Sequence, residues 1–296
     1  MSRAAPAVRP RPPLWKDFLY VAAFFGAATL FRNSRTPAPA AGPADPPVPR
    51  SRLRWWREVL YIAAFYGLYS FIRNTQGSAS VSAAHAYANA SDVIRVEKAL
   101  RLYFEQGLQE AFLDWRPFIQ FWNLFYGTFH FVVTIAALVL LFRRFPARYP
   151  RWRNTLAATT GLALIGFATY PLMPPRLLPS SYGFVDTLRV YGGLWSFDSG
   201  PVAQVSNQYA AMPSLHMAWS IWSALVLYPM LRRAWSKAAV VLYPPATLFA
   251  IMVTANHYWL DAVGGAVVLA AGAAAGFAIT GATARHPVGD PVPNRA

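Results

Sequence analysis

The sequence predicts an all-α, polytopic integral membrane protein, a helical bundle with six spans and one extra apolar segment near its N-terminus. Hydrophobic residues make up 55% of the 296 residues and charged residues only 13%, about half the charged share of a typical soluble domain. Six apolar stretches approach or exceed the roughly 20 residues that a helix needs to cross a bilayer. None of them alternates between polar and apolar residues, so an outer-membrane barrel is not expected.

Charge and cysteine content exclude several classes of function. The chain has no cysteine, which rules out disulfides, a thiol nucleophile and cysteine-based metal sites. Its net charge is +15, which in a soluble protein would suggest nucleic-acid binding. Here the arginines cluster at the ends of apolar stretches, as the positive-inside rule and anionic lipids require. We therefore expect the membrane as a partner and no nucleic acid.

The six predicted spans differ in quality. The first is the weakest, the fifth is expected to be broken by Pro244-Pro245, and the last is rich in glycine and alanine, which suits close helix packing. In chain order the predicted spans are residues 56–72, 117–142, 154–173, 213–231, 238–254 and 258–281.

The connecting loops predict the orientation. Loop 143–153 carries five arginines, loop 232–237 carries three basic residues, and neither carries an acid. Both are therefore expected in the cytoplasm. Six spans then alternate consistently and place the remaining loops on the extracytoplasmic side: residues 73–116, 174–212 and 255–257.

The N-terminal region contains an apparent internal repeat. Residues 15–33 match residues 56–74 at a constant offset, which we interpret as a tandem duplication, the alternative being two similar apolar helices. The apolar run 18–31 is short for a span, so we expect an interfacial helix or a poor extra span. The predicted domains are an N-terminal basic, Pro/Ala-rich region (1–49), a membrane-embedded catalytic domain (50–281) and a polar tail (282–296).

An amphipathic helix is predicted within the first outer loop. Asp92 is expected to cap it from about Ser91, and apolar residues from Val93 onward recur at helical spacing. This helix would lie on the membrane surface or cover the core, or it would be an ordinary solvated connection.

A first chemical motif opens the fourth predicted span. Met212 and Pro213 precede Ser214 and His216, and proline suits the first helical turn, where its missing N–H costs nothing. Free N–H groups and the helix dipole favour an anion there. An imidazole beside a bound phosphate can act as a general acid. The alternative is an interfacial histidine near lipid headgroups.

A second motif opens the last span. His257 and Asp261 are four residues apart, on one face of a helix, and Gly264-Gly265 follow them. The carboxylate can hold one imidazole nitrogen and orient the other for attack. A pair that merely satisfies itself is the alternative. Because this pairing explains the carboxylate, we expect no metal ion and no other cofactor.

The predicted topology brings both motifs to the extracytoplasmic face, where Arg176 also lies. Two histidines and a cation at a helix N-terminus fit phosphoryl transfer, in which one histidine attacks phosphorus and the other protonates the leaving oxygen.

These motifs resemble those of the PAP2 superfamily, the type 2 phosphatidic acid phosphatases and their relatives. Its Pro-Ser-x-His motif is met by Pro213, Ser214 and His216, and its His-x-x-x-Asp motif by His257 and Asp261. The resemblance implies a six-span PAP2-like core with His257 as the nucleophile that forms a phosphohistidine. It further implies Asp261 as the orienting residue and His216 as the acid for the leaving group.

The wider layout resembles the Aur1/Ipt1-like inositol phosphotransferase branch. The features that carry this resemblance are Asn123–Tyr126–His130, Tyr170-Pro171 through Arg176, Ala211 through His216, and Asn256-His257-Tyr258 with Asp261. Asn123, Tyr126 and His130 would form a polar wall at the substrate or an interhelical hydrogen-bond network. Tyr209, Ser214 and Arg176 are further candidates for contact with a phosphate or headgroup.

Three positions depart from the superfamily pattern. Thr169 stands where its first motif has lysine, Leu177 where it has proline, and Ile251 where its third motif has arginine. With two usual phosphate cations missing, a phosphodiester, which carries less charge than a phosphomonoester, is mildly favoured as the substrate.

The sequence therefore predicts a membrane-embedded lipid phosphotransferase or phosphatase that acts on a lipid phosphate or phospholipid. Water or an alcohol such as inositol or a sugar would accept the phosphoryl group. One alternative is a simple phosphatase of phosphatidic acid or an isoprenyl (pyro)phosphate. Another is a non-catalytic lipid transporter or scaffold.

Overall fold

A computed structural model describes residues 53–75, 82–192 and 208–285. The predicted N-terminal region 1–49, with its apolar run 18–31, lies outside these residues, as does most of the predicted tail.

Every regular element within the described residues is a helix, which confirms the all-α class. A single bridge between Leu172 and Ala210 joins two loops. The α-helices are α1 (Trp55–Thr75), α2 (Ala83–Ala99), α3 (Glu105–Glu110), α4 (Arg116–Arg144), α5 (Tyr149–Thr169), α6 (Thr187–Tyr191), α7 (Leu215–Leu227), α8 (Ala234–Val253) and α9 (Trp259–Arg285).

Three of the described helices are long and apolar enough to cross a membrane: α4, α8 and residues Trp259–Gly281 of α9. Helices α1, α5 and α7 overlap the other predicted spans, and α7 has only 13 residues before a short 3₁₀ turn at Tyr228–Met230. The expected break at Pro244-Pro245 is wrong, because α8 continues through both prolines. Inside a helical bundle, neighbouring helices and local adjustment accommodate such prolines.

Helix α7 lies at the centre of the bundle, in contact with α4, α5, α8 and α9. Its Trp222 is fully buried, and the indole Nε1 donates a hydrogen bond to the Trp152 carbonyl at 3.1 Å.

Helix α9 packs most extensively on α5. Gly272 and Gly276 lie directly against the backbone of Thr159 and Thr155, and a Cβ atom at either glycine would collide with it. Small residues allow this close approach between helices.

Helix α2 begins at Ala83, eight residues earlier than expected, because the alanine-rich stretch before Ser91 favours helix. Asp92 is not its cap. It forms an ion pair with Arg95 at 2.9 Å on the exposed side. The opposite side is buried beneath the loops that carry the site, so α2 covers the core.

Candidate active site

His257 lies just before the first turn of α9, and its ring is held from one side. Nδ1 is 2.9 Å from the Ala211 carbonyl oxygen and 3.2 Å from Oδ2 of Asp261. A carbonyl oxygen only accepts hydrogen bonds, so Nδ1 carries the proton and donates it. The lone pair is therefore on Nε2, which is the form of imidazole that can act as a nucleophile.

Asp261 connects the two sequence motifs. Its side chain is fully buried, and Oδ2 also accepts a hydrogen bond from the Tyr258 N–H at 2.9 Å. Its own carbonyl accepts a hydrogen bond from the Ser214 N–H at 2.9 Å. The starts of α7 and α9 are thus joined directly through their backbones.

Glycines make this junction possible. A Cβ atom at Gly265 would collide with the Ser214 carbonyl, and one at Gly166 would collide with the Pro213 ring. Gly264 also faces Pro213. Of the glycine pair that follows the second motif, Gly265 is therefore the one that the contact with the first motif requires.

His216 lies in the first turn of α7, within a group of aromatic rings. Its ring centroid is 5.5 Å from that of His257, in an edge-on arrangement. Tyr126 stacks on His216 at 4.3 Å, and His130 meets it at 4.2 Å. Nδ1 of His130 donates to the Tyr126 carbonyl at 3.0 Å because a carbonyl can only accept. The structure thus brings Tyr126 to both motif histidines, with its ring centroid 6.4 Å from that of His257, and His130 to His216.

Asn123 takes part in a different contact. Its amide donates to the carbonyls of Thr187 and Gly192 at 3.0 and 2.9 Å, and its oxygen accepts from the Thr187 hydroxyl at 2.8 Å. The predicted wall therefore divides: Asn123 joins α4 to α6, whereas Tyr126 and His130 reach the histidine rings.

Two other candidates have structural roles in the loops. Oγ of Ser214 accepts a hydrogen bond from the Met217 N–H at 3.4 Å, as the N-cap of α7. The carbonyl of Tyr209 accepts from the Leu172 N–H at 2.7 Å, and its side chain packs against the loop core.

Arg176 is anchored beside His257. Its N–H donates to the Ala255 carbonyl at 2.8 Å, and its Nε donates to Oδ1 of Asn256 at 3.0 Å. Its Nη1 forms an ion pair with Oδ2 of Asp186 at 3.1 Å. Asn256 and Asp186 were not among the predicted site residues. Asn256 adjoins the motif histidine, which was a usable signal, but nothing in the sequence singled out Asp186.

A family model described as the PAP2 superfamily matches residues 91–275, more than half of the chain. The chain belongs to the PAP2 superfamily. Membership supports a phosphatase-type enzyme, and together with the three apolar helices it is consistent with a membrane protein. The comparisons with curated proteins and with solved structures gave no match.

The structure shows where Thr169 and Ile251 lie, the two positions at which the family resemblance leads us to expect a cation. The Thr169 hydroxyl donates to the Ile165 carbonyl of its own helix at 2.8 Å. Ile251 is fully buried in an apolar cluster with Met252 and Ala262. Neither position supplies positive charge to a phosphate.

A narrow cleft opens beside His216 in this PAP2 protein, between α4, α7 and α8. Its polar lining groups are the two rings next to His216 and the side chains of Tyr243 and Thr247. The remaining lining residues are Phe125, Ala250 and Ile251. Its empty volume is about 170 Å³, which is below the size of a typical small-molecule pocket, so a ligand would enter only if the lining side chains moved.

Two glutamates that sequence reasoning missed contact the start of α9. Oε1 of Glu105 accepts a hydrogen bond from the Trp259 N–H at 2.8 Å, and Oε1 of Glu97 accepts from the Leu260 N–H at 2.9 Å. Both side chains are fully buried. A signal existed for Glu97, which follows Val93 by four residues and so lies on the apolar face of the predicted amphipathic helix.

Proposed function

We propose that this PAP2 protein transfers a phosphoryl or phosphodiester group from a lipid through a phosphohistidine on His257. The observation that carries the proposal is the double contact of the His257 Nδ1 with Ala211 and Asp261. It leaves the Nε2 lone pair free, with a second histidine, His216, 5.5 Å away.

In the proposed reaction, Nε2 of His257 attacks phosphorus while the bond to the leaving oxygen breaks. The leaving oxygen takes its electron pair and receives a proton from His216. Water or an alcohol then attacks the phosphohistidine and gives its proton to His216. The nitrogen–phosphorus bond breaks and His257 is restored, with Asp261 keeping the ring in one tautomer throughout.

The charge of the site favours a phosphodiester substrate, as in the Aur1/Ipt1-like inositol phosphotransferase branch. Arg176 already pairs with Asp186, and Thr169 and Ile251 stand where relatives have cations. A phosphomonoester dianion needs more compensating charge than a phosphodiester monoanion. We therefore favour transfer to an alcohol such as inositol or a sugar over simple hydrolysis of a lipid phosphate.

The proposal includes the membrane arrangement. Helices α1, α5 and α7 would complete six spans with the three apolar helices, and the basic loops would face the cytoplasm. The site would then open to the extracytoplasmic side, and the lipid tail would enter laterally between spans. No step in this chemistry needs a metal ion.

Product analysis by mass spectrometry tests the function. The full-length protein in detergent with EDTA is given phosphatidic acid, an isoprenyl phosphate and phosphatidylinositol together with alcohol acceptors. The His257→Ala variant serves as the control. A new phosphodiester lipid formed only by the wild type supports transfer. Release of inorganic phosphate alone would replace transfer by hydrolysis, and no turnover would favour a transporter or scaffold.

The membrane side is tested separately. Because the chain has no cysteine, Ser181→Cys places a single thiol on an exposed loop residue. Labelling of intact cells with an impermeant maleimide is expected. Labelling only after lysis would reverse the proposed orientation.

A further inference from the structure

The first turn of α9 is capped by three carboxyl groups that come from different parts of the chain. Asp261 accepts a hydrogen bond from the Tyr258 N–H, Glu105 from the Trp259 N–H, and Glu97 from the Leu260 N–H. The three distances are 2.8 to 2.9 Å. A helix start leaves such N–H groups without partners inside the helix, and buried N–H groups need them. All three carboxyl side chains are fully buried.

We propose that Glu97 and Glu105 are positioning residues that set the geometry of the His257–Asp261 pair by holding this first turn. The proposal rests on the proposed function for its catalytic readout. Oδ2 of Asp261 bonds both the Tyr258 N–H and the His257 Nδ1. A shift of the turn therefore moves the carboxylate that orients the imidazole.

The hydrogen bonds assign different protonation states to the two glutamates. Both oxygens of Glu105 accept backbone N–H groups, from Trp259 at 2.8 Å and from Phe104 at 3.0 Å. Glu105 therefore acts as a carboxylate. A protonated oxygen, or the amide nitrogen of a glutamine, would place its own N–H or O–H against one of these backbone N–H groups, where no hydrogen bond can form.

Glu97 uses only one oxygen. Its Oε1 accepts from Leu260, and its Oε2 is buried with no hydrogen-bond partner among the described residues. Burial raises the pKa of Glu97 to about 8, although the hydrogen bond from Leu260 lowers it. The nearby carboxyl groups of Glu105 and Asp261 raise this pKa further. Tyr103 and Tyr258 are the other titratable groups that face it. Glu97 thus caps Leu260 as a neutral acid near neutral pH.

This difference gives a sharp substitution test. Glutamine is a close copy of a neutral glutamic acid and keeps an accepting oxygen for Leu260. At Glu105, glutamine loses one of two acceptors. The variants are Glu97→Gln, Glu97→Ala and Glu105→Gln. Glu110→Gln is the matched control, since Glu110 lies on the same short helix as Glu105 and its side chain accepts an exposed hydrogen bond from Gln106.

Kinetics are measured on the full chain in detergent, with the three lipids and the acceptors named above. We expect Glu105→Gln and Glu97→Ala to lower kcat about 10- to 100-fold with little change in KM, as for a small misplacement of a reacting group. Glu97→Gln should have the wild-type kcat at neutral pH. If the wild-type kcat falls at higher pH as Glu97 ionises, the kcat of Glu97→Gln should stay constant there. Glu110→Gln should match the wild type throughout.

Isotope-labelled histidine spectra provide a readout that needs no substrate. The wild type, Glu97→Gln and Glu110→Gln should show His257 protonated at Nδ1, whereas Glu105→Gln should show a mixture of tautomers. Wild-type spectra and kcat in both Glu105→Gln and Glu97→Ala would overturn the proposal. A wild type without turnover would instead reject the proposed function, and the spectra would still decide the positioning role.

Discussion

The first turn of α9 and the glycine-lined second half of the same helix make different kinds of contact. Its first turn meets buried carboxyl groups and follows His257, whereas farther along Gly272 and Gly276 lie against the backbone of α5. The first turn needs polar partners from elsewhere in the chain, because its N–H groups are buried. The glycine face needs only the absence of side chains. Substitutions at the start should therefore change activity, and those on the glycine face should change stability.

The largest effect is expected at the start. His257→Ala should lower turnover about 1,000-fold or more, because it removes the proposed nucleophile. The variant should also lose about 1–3 kcal/mol of stability, because the Ala211 carbonyl and the buried Asp261 lose a hydrogen-bond donor, so turnover is compared at a temperature where both proteins are folded. Turnover is measured by mass spectrometry of the lipid products. His85→Ala, on the exposed side of α2, is the control, and equal turnover in both variants would contradict the role of His257.

The next effect is expected on the glycine face. Gly272→Leu should destabilise the protein by about 1–3 kcal/mol or more, because overpacking forces the backbones of α5 and α9 apart. Thermal unfolding in detergent measures this. Gly281→Leu lies on the same helix with open space around it and should unfold at the wild-type temperature. If both variants melt alike, close helix contact is not what the glycine provides.

A smaller effect should follow from releasing Arg176. Asp186→Asn removes the charge that pairs with the guanidinium, while the asparagine oxygen can still cap α6, as Asp186 does. Hydrolysis of a lipid phosphomonoester should rise about fivefold relative to phosphodiester transfer, which corresponds to roughly 1 kcal/mol. Competing substrates in one assay give this ratio. Asp114→Asn, at an exposed position, should leave it unchanged.

The smallest effect concerns pH. Burial raises the pKa of Glu97 from its ordinary 4.5 to about 8 in the folded protein. Between these values the folded state holds a proton that the unfolded state has lost, so this group's contribution to stability is complete at low pH and declines as pH rises. Between about pH 5 and pH 6 the wild type should lose roughly 1 kcal/mol relative to Glu97→Gln, which lowers its melting temperature by a few degrees. Parallel curves would show that Glu97 ionises normally.

The sequence supported the helices and the two motifs because both are local patterns. Apolar length located α4, α8 and α9, and the four-residue spacing placed Asp261 on the same side as His257. The helix starting at Ala83 was misplaced because Asp92 offered a plausible cap within a stretch that was already helical. The predicted break at the prolines of α8 was wrong because packing within the bundle outweighs the local rule that proline ends a helix.

The missed residues depend on contacts between distant segments. Glu105 and Glu97 are separated from the N–H groups that they accept by 154 and 163 residues. Asp186 reaches Arg176 only because the loop between α5 and α6 folds back. No periodicity or spacing within the chain reports such partnerships, so they emerge only once the helices are packed.

The long separation between the glutamates and α9 also bears on biosynthesis. The ribosome releases Glu97 and Glu105 well before it translates the residues that they cap. Until then the buried acids have no N–H groups to bind, and His257 and Asp261 do not yet exist. A nascent chain therefore lacks the proposed His257–Asp261 pair until the start of α9 has been translated, and before that point it cannot carry out the proposed reaction.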